Sequence, residues 1–308
     1  MLKNFIKSNS NFHLKSKGES IFVYATPRGG STWFMEMIWS QPGFKCINEP
    51  FNIRNLRVKK ALGIASFSDL YNQKSPDKIL KYLHDLSCNK IRFLNPSPLR
   101  RNYRLLTTNL VFKIIHLNLK NLNWLVENLG ARVVLVLRHP IPVSISREVF
   151  PLLDDFSNCA LREEFSNEQK AFIDRVALSG THLEKGVTAW CIHNRDVIKN
   201  LGAFASLVTY EQAILEPRKI IKSLCQNLDL PYERKMLDQS YRASAVKRKS
   251  TKENQKLLEG LKSRELLINS WRSNVSETEE MDLMSILDLF EIDVYKYGRD
   301  CALDNYLL

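Results

Sequence analysis

Four short apolar runs, separated by segments with helical periodicity, constrain the fold of this chain more than any other feature of its sequence. They span residues 21–25, 110–115, 132–137 and 205–209. Each run has the length and the β-branched content of a strand that is buried on both faces of a sheet. The runs therefore predict a sheet that is covered by helices on both sides.

The segments between these runs carry the spacing of amphipathic helices. The apolar residues of 33–38 fall on one side of a helix that is predicted to begin near Ser31. Pro217 is placed to open a second helix, and Ser276 with Glu279 forms the pattern of a capping box before a third. Strands that alternate with helices predict an α/β fold with a central, mostly parallel sheet flanked by helices.

The 308 residues contain no internal repeat and no linker rich in proline or glycine, so we predict one domain over residues 20–308. Two segments, 52–106 and 151–186, fit the alternation of strands and helices poorly. We interpret both as helical insertions on the core. Residues 1–19 are basic and are predicted to be flexible.

The chain shows no signature of a membrane span or of a secretory signal. Its longest aliphatic run, 133–137, is far shorter than the roughly 20 residues that cross a bilayer. The six cysteines form no CxxC pair and no metal-ligand spacing, which is typical of proteins in a reducing compartment. We therefore expect a soluble cytoplasmic protein that holds no metal. Organellar targeting by the basic N-terminus stays open.

The charge of the chain indicates an anionic partner. Lysine and arginine number 45 against 33 acidic residues, which leaves a formal charge of +12. Nucleotides, nucleic acids, acidic glycans and membrane surfaces all fit such a surplus. Charge alone does not choose among them.

The most specific motif lies just after the first apolar run, where a glycine turn joins a strand to a helix. It reads Thr26-Pro27-Arg28-Gly29-Gly30-Ser31-Thr32-Trp33. Glycines let the backbone approach an anion closely, and the first N–H groups of a helix bind phosphate at the positive end of its dipole. Arg28 adds a fixed charge, while Ser31 and Thr32 add hydroxyl donors. The GxxxxGK[ST] spacing of a Walker A loop is absent.

A second turn follows the run 132–137. Arg138 stands at the carboxyl end of that predicted strand, the edge at which open α/β sheets bind ligands. Ser146 comes eight residues later, about two turns into the predicted following helix. The two side chains are therefore predicted to face one phosphate.

These motifs resemble those of the PAPS-dependent sulfotransferases, and we favour the carbohydrate-type and bacterial branch. Residues 27–33 resemble the family's loop for the 5′-phosphosulfate of 3′-phosphoadenosine 5′-phosphosulfate (PAPS), and residues 138–146 resemble its 3′-phosphate segment. The resemblance implies a P-loop-like PAPS-binding core, PAPS as co-substrate and the desulfated nucleotide PAP as product. No nucleic acid partner is expected, and the chemistry needs no metal.

Weaker likenesses extend the predicted nucleotide site. Tyr210, in a segment that resembles the family's Y-E-D-L stretch, is implied to contact the adenine, and Trp33 is a candidate for its other side. Arg248 belongs to a basic run at 247–249, near where the family often places a loop over the 3′-phosphate. A solvated charged face is the favoured interpretation of this run. Trp190 and Trp271 are assigned to core packing.

The acceptor needs a base, and two residues compete for that role. Glu49, followed by Pro50 and Phe51, resembles the E-P-F segment that supplies the base in carbohydrate-type and bacterial sulfotransferases. His116 resembles the histidine of the cytosolic enzymes, but it follows Lys113 by one residue more than their K-[TS]-H pattern. We favour Glu49, and we expect Pro50 to hold it in an extended conformation.

The resemblance implies in-line transfer of a sulfuryl group from PAPS to a hydroxyl or amine. A carbohydrate, a glycolipid or another polar small molecule is the expected acceptor. Arg28 is assigned to stabilising the leaving group, and Lys113 to supporting the base or contacting the sulfuryl group. Two other classes stay open, namely another nucleotide-dependent transferase of a kinase-like type and a non-catalytic polyanion-binding protein.

Overall fold

The strands that the structure describes all pair in parallel. The structure is a computed structural model that describes residues 6, 9–14, 20–72, 76–117, 119–200, 205–231, 233–244, 258 and 261–307. In chain order the strands are β1 (Phe12–His13), β2 (Ser20–Ala25), β3 (Phe44–Asn48), β4 (Leu106–Thr107), β5 (Asn109–Ile114), β6 (Arg132–Leu137) and β7 (Ala205–Thr209). Five of them form the central sheet in the order β3-β5-β2-β6-β7, and β1 pairs with β4 in a separate ribbon.

Helices surround this sheet. The described helices are Ser31–Trp39, Leu56–Leu62, Phe67–Tyr71, Pro76–Ser87, Leu119–Leu129, Pro140–Ile145, Pro151–Asp154, Asn167–Ser179, His182–Lys199, Tyr210–Leu215, Pro217–Asn227, Glu233–Ser240, Leu261–Asn269 and Glu277–Leu289. Short 3-10 turns lie at Phe156–Asn158, Ala160–Glu164, Ser270–Asn274 and Asp304–Tyr306. None of the described helices combines the length and the apolar character that a membrane crossing requires.

Alternate residues of each strand enter two separate hydrophobic cores. On β2, Phe22 and Tyr24 pack into one core, whereas Val23 packs into the other. The helices His182–Lys199 and Glu277–Leu289 contribute to the first core, and Ser31–Trp39 and Pro217–Asn227 contribute to the second. Burial on both faces explains why these strands read as continuous apolar runs.

The predicted α/β architecture is confirmed. All four predicted strands are present, and the three predicted helices form as Ser31–Trp39, Pro217–Asn227 and Glu277–Leu289. Ser276 caps the last of these by accepting a hydrogen bond from the backbone N–H of Glu279. The local spacing of apolar residues, with the residues that begin helices, was sufficient to predict these elements.

One edge strand of the sheet, β3, was not predicted from the sequence. Its second residue, Lys45, interrupts the apolar run, although the side chain is fully buried. The Lys45 ammonium donates to Oδ1 of Asn89 at 3.1 Å and to Oδ1 of Asn95 at 3.2 Å. Burial lowers the pKa of Lys45 to about 8. Partners more than forty positions away make this buried cation tolerable, so no local pattern reveals the strand.

The predicted insertions and N-terminal segment contribute elements of their own. The described residues of 52–106 include the helices Leu56–Leu62, Phe67–Tyr71 and Pro76–Ser87. Residues 151–186 contain short helical and 3-10 turns, then the helix Asn167–Ser179. Within the segment predicted to be flexible, Phe12–His13 instead forms β1. The N–H groups of Phe12 and Leu14 donate to the carbonyls of Leu105 and Thr107, and these two bonds fix the ribbon.

Candidate active site

The carboxyl ends of the five sheet strands meet at one edge and surround a cavity of about 260 Å³. Each strand contributes at least one lining residue at or just beyond its end. Ten residues singled out in the sequence line this cavity: Pro27, Arg28, Gly30, Ser31, Thr32, Trp33, Glu49, Lys113, Arg138 and Tyr210. The topology thus gathers side chains that are widely separated in the chain.

The glycine turn after β2 aims the start of a helix at the cavity. Arg28 and Gly30 both adopt left-handed backbone conformations, with φ of 73° and 92°. The N–H of Gly29 closes the turn onto the carbonyl of Thr26 at 2.9 Å. The amides of Ser31 and Thr32, in the first turn of the helix, have no intrahelical acceptor and point towards its amino-terminal side. This arrangement suits an anion.

Aromatic side chains form a second wall. The rings of Trp33 and Tyr210 meet edge to face at 5.6 Å, and the Arg138 guanidinium lies 4.4 Å from the centre of the Tyr210 ring. Nη1 of Arg138 also donates to the carbonyl of Arg28 at 3.2 Å. The two turns that were predicted to bind phosphate therefore lie next to each other at the carboxyl ends of the strands.

Buried groups behind Arg138 hold its turn in place. The indole N–H of Trp190 donates to the carbonyl of Arg138 at 3.0 Å. The Glu211 carboxylate accepts from the backbone N–H of His139 and from the Tyr295 hydroxyl, both at 2.9 Å. Burial raises the pKa of Glu211. Trp190, assigned to packing from the sequence, thus also fixes the backbone of this turn.

Glu49 and Lys113 form a bonded pair that also lines the cavity. Nζ of Lys113 lies 2.6 Å from Oε1 of Glu49 and donates to Oγ1 of Thr32 at 2.8 Å. The second carboxylate oxygen of Glu49 accepts from Nδ2 of Asn52 at 2.8 Å. Lys113 therefore connects the glycine-turn helix to the carboxylate, and both oxygens of that carboxylate are oriented.

The expected extended conformation of Glu49 is wrong. Its φ is 52°, in the left-handed region. The N–H of Glu49 still pairs with β5 through the carbonyl of Lys113, and its own carbonyl accepts from Asn52. A tight turn thus begins directly at the end of β3 with Pro50 inside it, and tertiary pairing overrides the preference of a residue before proline.

With this geometry in place, the sequence comparison decides the family. Residues 19–284 match the model of the family described as sulfotransferase domain. The chain belongs to the sulfotransferase family. Members of this family take the sulfuryl group from PAPS. Comparison with curated protein sequences gave no match.

Solved sulfotransferase structures resemble this sulfotransferase at low identity. The sulfotransferase domain from the Synechococcus PCC 7002 olefin synthase is 18% identical with a TM-score of 0.45, over 92% of this chain and 100% of that chain. The sulfotransferase domain from the curacin biosynthetic pathway is 16% identical with a TM-score of 0.40, over 73% and 78%. The mouse sulfotransferase SULT7A1, solved with PAP, is 15% identical with a TM-score of 0.38, over 80% and 70%.

Some predicted site residues of this sulfotransferase lie away from the cavity lining. Thr26 and Gly29 are buried inside the glycine turn. Ser146 ends the short helix Pro140–Ile145, and its hydroxyl donates to the carbonyl of Val143 at 2.9 Å. Arg248 and the run 247–249 lie outside the described residues.

His116 stands one residue beyond the lining residue Ile115 and packs against Phe67, with ring centres 4.6 Å apart. Burial, with the nearby charges of Arg147, Arg54 and Lys113, lowers the pKa of His116 to about 3. The imidazole is therefore neutral at physiological pH, and it is a weak proton acceptor.

Sequence reasoning missed other parts of this sulfotransferase site. Asn52 and Glu211 do not line the cavity, but Asn52 donates to the Glu49 carboxylate and Glu211 accepts from the N–H of His139. Of the two, only Asn52 is close in the chain to the residue that it contacts. Six further lining residues, mostly apolar, carry no motif at all: Ile115, Ile214, Ala243, Ser244, Leu258 and Leu267. Among the residues described, no three His, Cys, Asp or Glu side chains are grouped to hold a metal ion.

Proposed function

We propose that this sulfotransferase moves the sulfuryl group of PAPS to a hydroxyl or amine of a polar acceptor, with Glu49 as the base. One observation carries the proposal. Arg28, Arg138 and the Glu49–Lys113 pair line one cavity, where Nη1 of Arg138 donates to the carbonyl of Arg28. A nucleotide with phosphates at both ends would thus have its transferable group next to a carboxylate.

The residues present fit such a nucleotide. The amides of the glycine turn, with Arg28, are suited to the 5′-phosphosulfate, and Arg138 to the 3′-phosphate. The edge of Trp33 and the ring of Tyr210 offer apolar surface for the adenine. PAPS, when bound, supplies an activated sulfuryl group whose leaving group is PAP.

The chain's own groups then position and neutralise charge. Lys113 and Arg28 supply cations where negative charge builds on the leaving oxygen, and a lost donor of this kind costs about 10²–10³ in rate. Glu49 receives the acceptor's proton, and a base in this role contributes about 10²–10⁴. Asn52 and Lys113 hold its two oxygens so that one orientation prevails.

The surroundings of the base favour a polar acceptor. Beside Glu49 the turn presents Asn52 and the exposed Arg54, and Arg147 lies near enough to lower the pKa of His116. These donors and cations suit a sugar, a glycolipid headgroup or another molecule rich in hydroxyl groups better than a flat phenol. The family match likewise favours sulfuryl transfer over the kinase-like and polyanion-binding alternatives.

Calorimetry with PAP tests the nucleotide site, and transfer from labelled PAPS to a panel of hydroxyl acceptors tests the reaction. Arg28→Ala and Arg138→Ala should each weaken PAP binding by about tenfold or more. The matched control Arg218→Ala, on an exposed helix face, should not. Absence of PAP binding at millimolar concentration contradicts the proposal, and label transfer from ATP favours the kinase-like alternative.

We also expect transfer without a metal ion. Activity measured after dialysis against excess EDTA should equal that of untreated enzyme, because fixed cations rather than a metal face the leaving group. A loss that added Mg²⁺ restores would contradict this expectation.

A further inference from the structure

The ribbon of β1 and β4 exposes a group of large apolar side chains, here named the apolar strip. It consists of Phe12, Leu14, Leu105 and Leu106, which are 61%, 58%, 59% and 57% exposed. Phe12 and Leu106 are direct register partners, so their side chains stand next to each other. Leu14 and Leu105 flank this pair in the chain, and grouped exposed apolar side chains of this kind mark an interaction site.

The strip is held firmly on the body of the protein. Nδ2 of the buried Asn11 donates to the carbonyl of Arg104 at 3.0 Å and to Oγ1 of Thr107 at 3.2 Å. On the inner side His13 Nδ1 lies 2.9 Å from the same Thr107 hydroxyl, and Nδ2 of Asn89 donates to the carbonyl of Asn11 at 3.0 Å. The side chains of Asn11, His13 and Thr107 thus bond on the inner side of the ribbon, and the apolar side chains of the strip are exposed.

The segments that carry the strip are strongly basic. Residues 1–18 and 86–107 contain nine lysines and arginines and no acidic residue. Lys90 and Arg100 are paired with Asp85 and Glu36. Arg92, Arg101 and Arg104 have no carboxylate within ion-pair distance among the residues that the structure describes.

We propose that the apolar strip docks on an anionic lipid surface. Apolar side chains of a peripheral protein enter the boundary between headgroups and acyl chains, and flanking lysines and arginines face acidic headgroups. A second copy of the chain fits the same face poorly. A symmetric contact would bring together the basic segments that carry Arg92, Arg101 and Arg104 in both chains, each of charge +12.

Docking by this face leaves the cavity accessible. Leu106 precedes β5, and Lys113 stands near the far end of that strand, so roughly 20 Å of extended chain separates the strip from the cavity. The inference does not depend on the proposed reaction. It concerns a surface near the amino end of β5, whereas the cavity lies at the carboxyl ends of the strands.

Sedimentation with vesicles of phosphatidylcholine, with and without phosphatidylserine, tests the proposal on the full chain. We expect binding to the anionic vesicles only, and weaker binding as salt is added. Phe12→Ser/Leu106→Ser and Arg101→Gln/Arg104→Gln should each lower the affinity by about tenfold or more.

Matched controls separate this surface from general charge. Leu178→Ser/Met281→Ser removes two exposed apolar side chains elsewhere, and Arg218→Gln/Lys222→Gln removes two exposed cations elsewhere. Neither should change vesicle binding more than about twofold. If Phe12→Ser/Leu106→Ser no longer unfolds cooperatively on heating, the vesicle binding of Arg101→Gln/Arg104→Gln tests the proposal without it.

The proposal is overturned if the wild-type chain does not bind anionic vesicles, or if the control variants lose binding as much as the strip variants. It is also overturned if light scattering shows a dimer that the strip variants dissociate while vesicle binding stays unchanged. PAP calorimetry on the same variants keeps the outcome separate from that of the proposed reaction.

Discussion

Gly30 combines two requirements at the cavity that a side chain would violate. Its φ of 92° is a conformation that residues with a Cβ adopt only under strain. A Cβ at this position would also lie 2.7 Å from Cδ2 of Tyr210. Glycine therefore lets the glycine turn and the aromatic wall approach each other, and Tyr210 in turn lies under Arg138.

Gly30→Ala should lower both stability and nucleotide affinity. We expect the free energy of unfolding to fall by about 2–4 kcal/mol, from backbone strain and from displacement of the Tyr210 ring, and PAP to bind at least tenfold more weakly. Gly130→Ala is the matched control, because Gly130 also has a positive φ of 62° but no atom near its added Cβ. It should cost about 1 kcal/mol and leave PAP binding intact. Equal effects of the two substitutions on PAP affinity would refute this account.

Glu49→Gln should separate the base from the nucleotide site. The amide keeps the bond to Lys113 through its oxygen but does not accept a proton, so kcat should fall about 10²–10⁴-fold. The PAP dissociation constant should change little, because Arg28 and Arg138 are untouched. His116→Asn should lower kcat far less. Full activity of Glu49→Gln together with an inactive His116→Asn would assign the base to the histidine instead.

At the scale of elements, Glu211 joins the ends of two neighbouring strands. It belongs to the helix that follows β7, yet its carboxylate accepts from the His139 N–H at the end of β6 and from Tyr295 near the C-terminus. Because Arg138 immediately precedes His139, the position of the Arg138 turn depends on this buried carboxylate. Glu211 is a positioning residue for the nucleotide site.

Glu211→Ala should destabilise the protein and weaken nucleotide binding together. It leaves the buried His139 N–H and Tyr295 hydroxyl without partners, at a cost of about 2–4 kcal/mol. Under conditions where the variant remains folded, PAP affinity should still fall, as calorimetry would record. Glu211→Gln keeps an acceptor for His139 and should restore most of the affinity. A variant that loses stability but binds PAP normally would limit Glu211 to a structural role.

Elements differ in how far the sequence predicts them. The helix Ser31–Trp39 and strand β6 follow from the spacing of their apolar residues, because the residues that each element buries are close together in the chain. Strand β3 does not, because Lys45 depends on Asn89 and Asn95 from a distant segment. The left-handed turn at Glu49 was also mispredicted, because the N–H of Glu49 pairs with the distant Lys113 on β5.

On the scale of the whole molecule, burial holds the pKa of four histidines below its ordinary value. The pKa is about 3 for His116, His139 and His193, and about 4 for His13. His193 stacks on Tyr24 and His139 on Trp271, at 5.5 Å and 4.9 Å. In the unfolded chain each imidazole takes up a proton near pH 6.5.

Stability should therefore fall on acidification. Between pH 6.5 and about 4 the unfolded state binds these protons and the folded state does not. Each histidine therefore lowers the free energy of unfolding by about 1.4 kcal/mol for every pH unit of acidification. Urea unfolding at pH 7 and pH 5 measures the change. His193→Phe should reduce the pH dependence by about a quarter of this histidine contribution. The exposed His84→Gln should not, and an unchanged slope in His193→Phe would contradict the explanation.

The sequence by itself determined the two-sided sheet, the glycine turn and the family. These depend on residues within a few positions of one another, where apolar spacing, backbone freedom and helix dipoles act directly. Only the tertiary structure decided that Lys113 meets both Glu49 and Thr32, and that Phe12 stands beside Leu106. Glu49 and Lys113 are 64 residues apart. Their contact depends on strand order, which the packing of the whole sheet selects and no local pattern encodes.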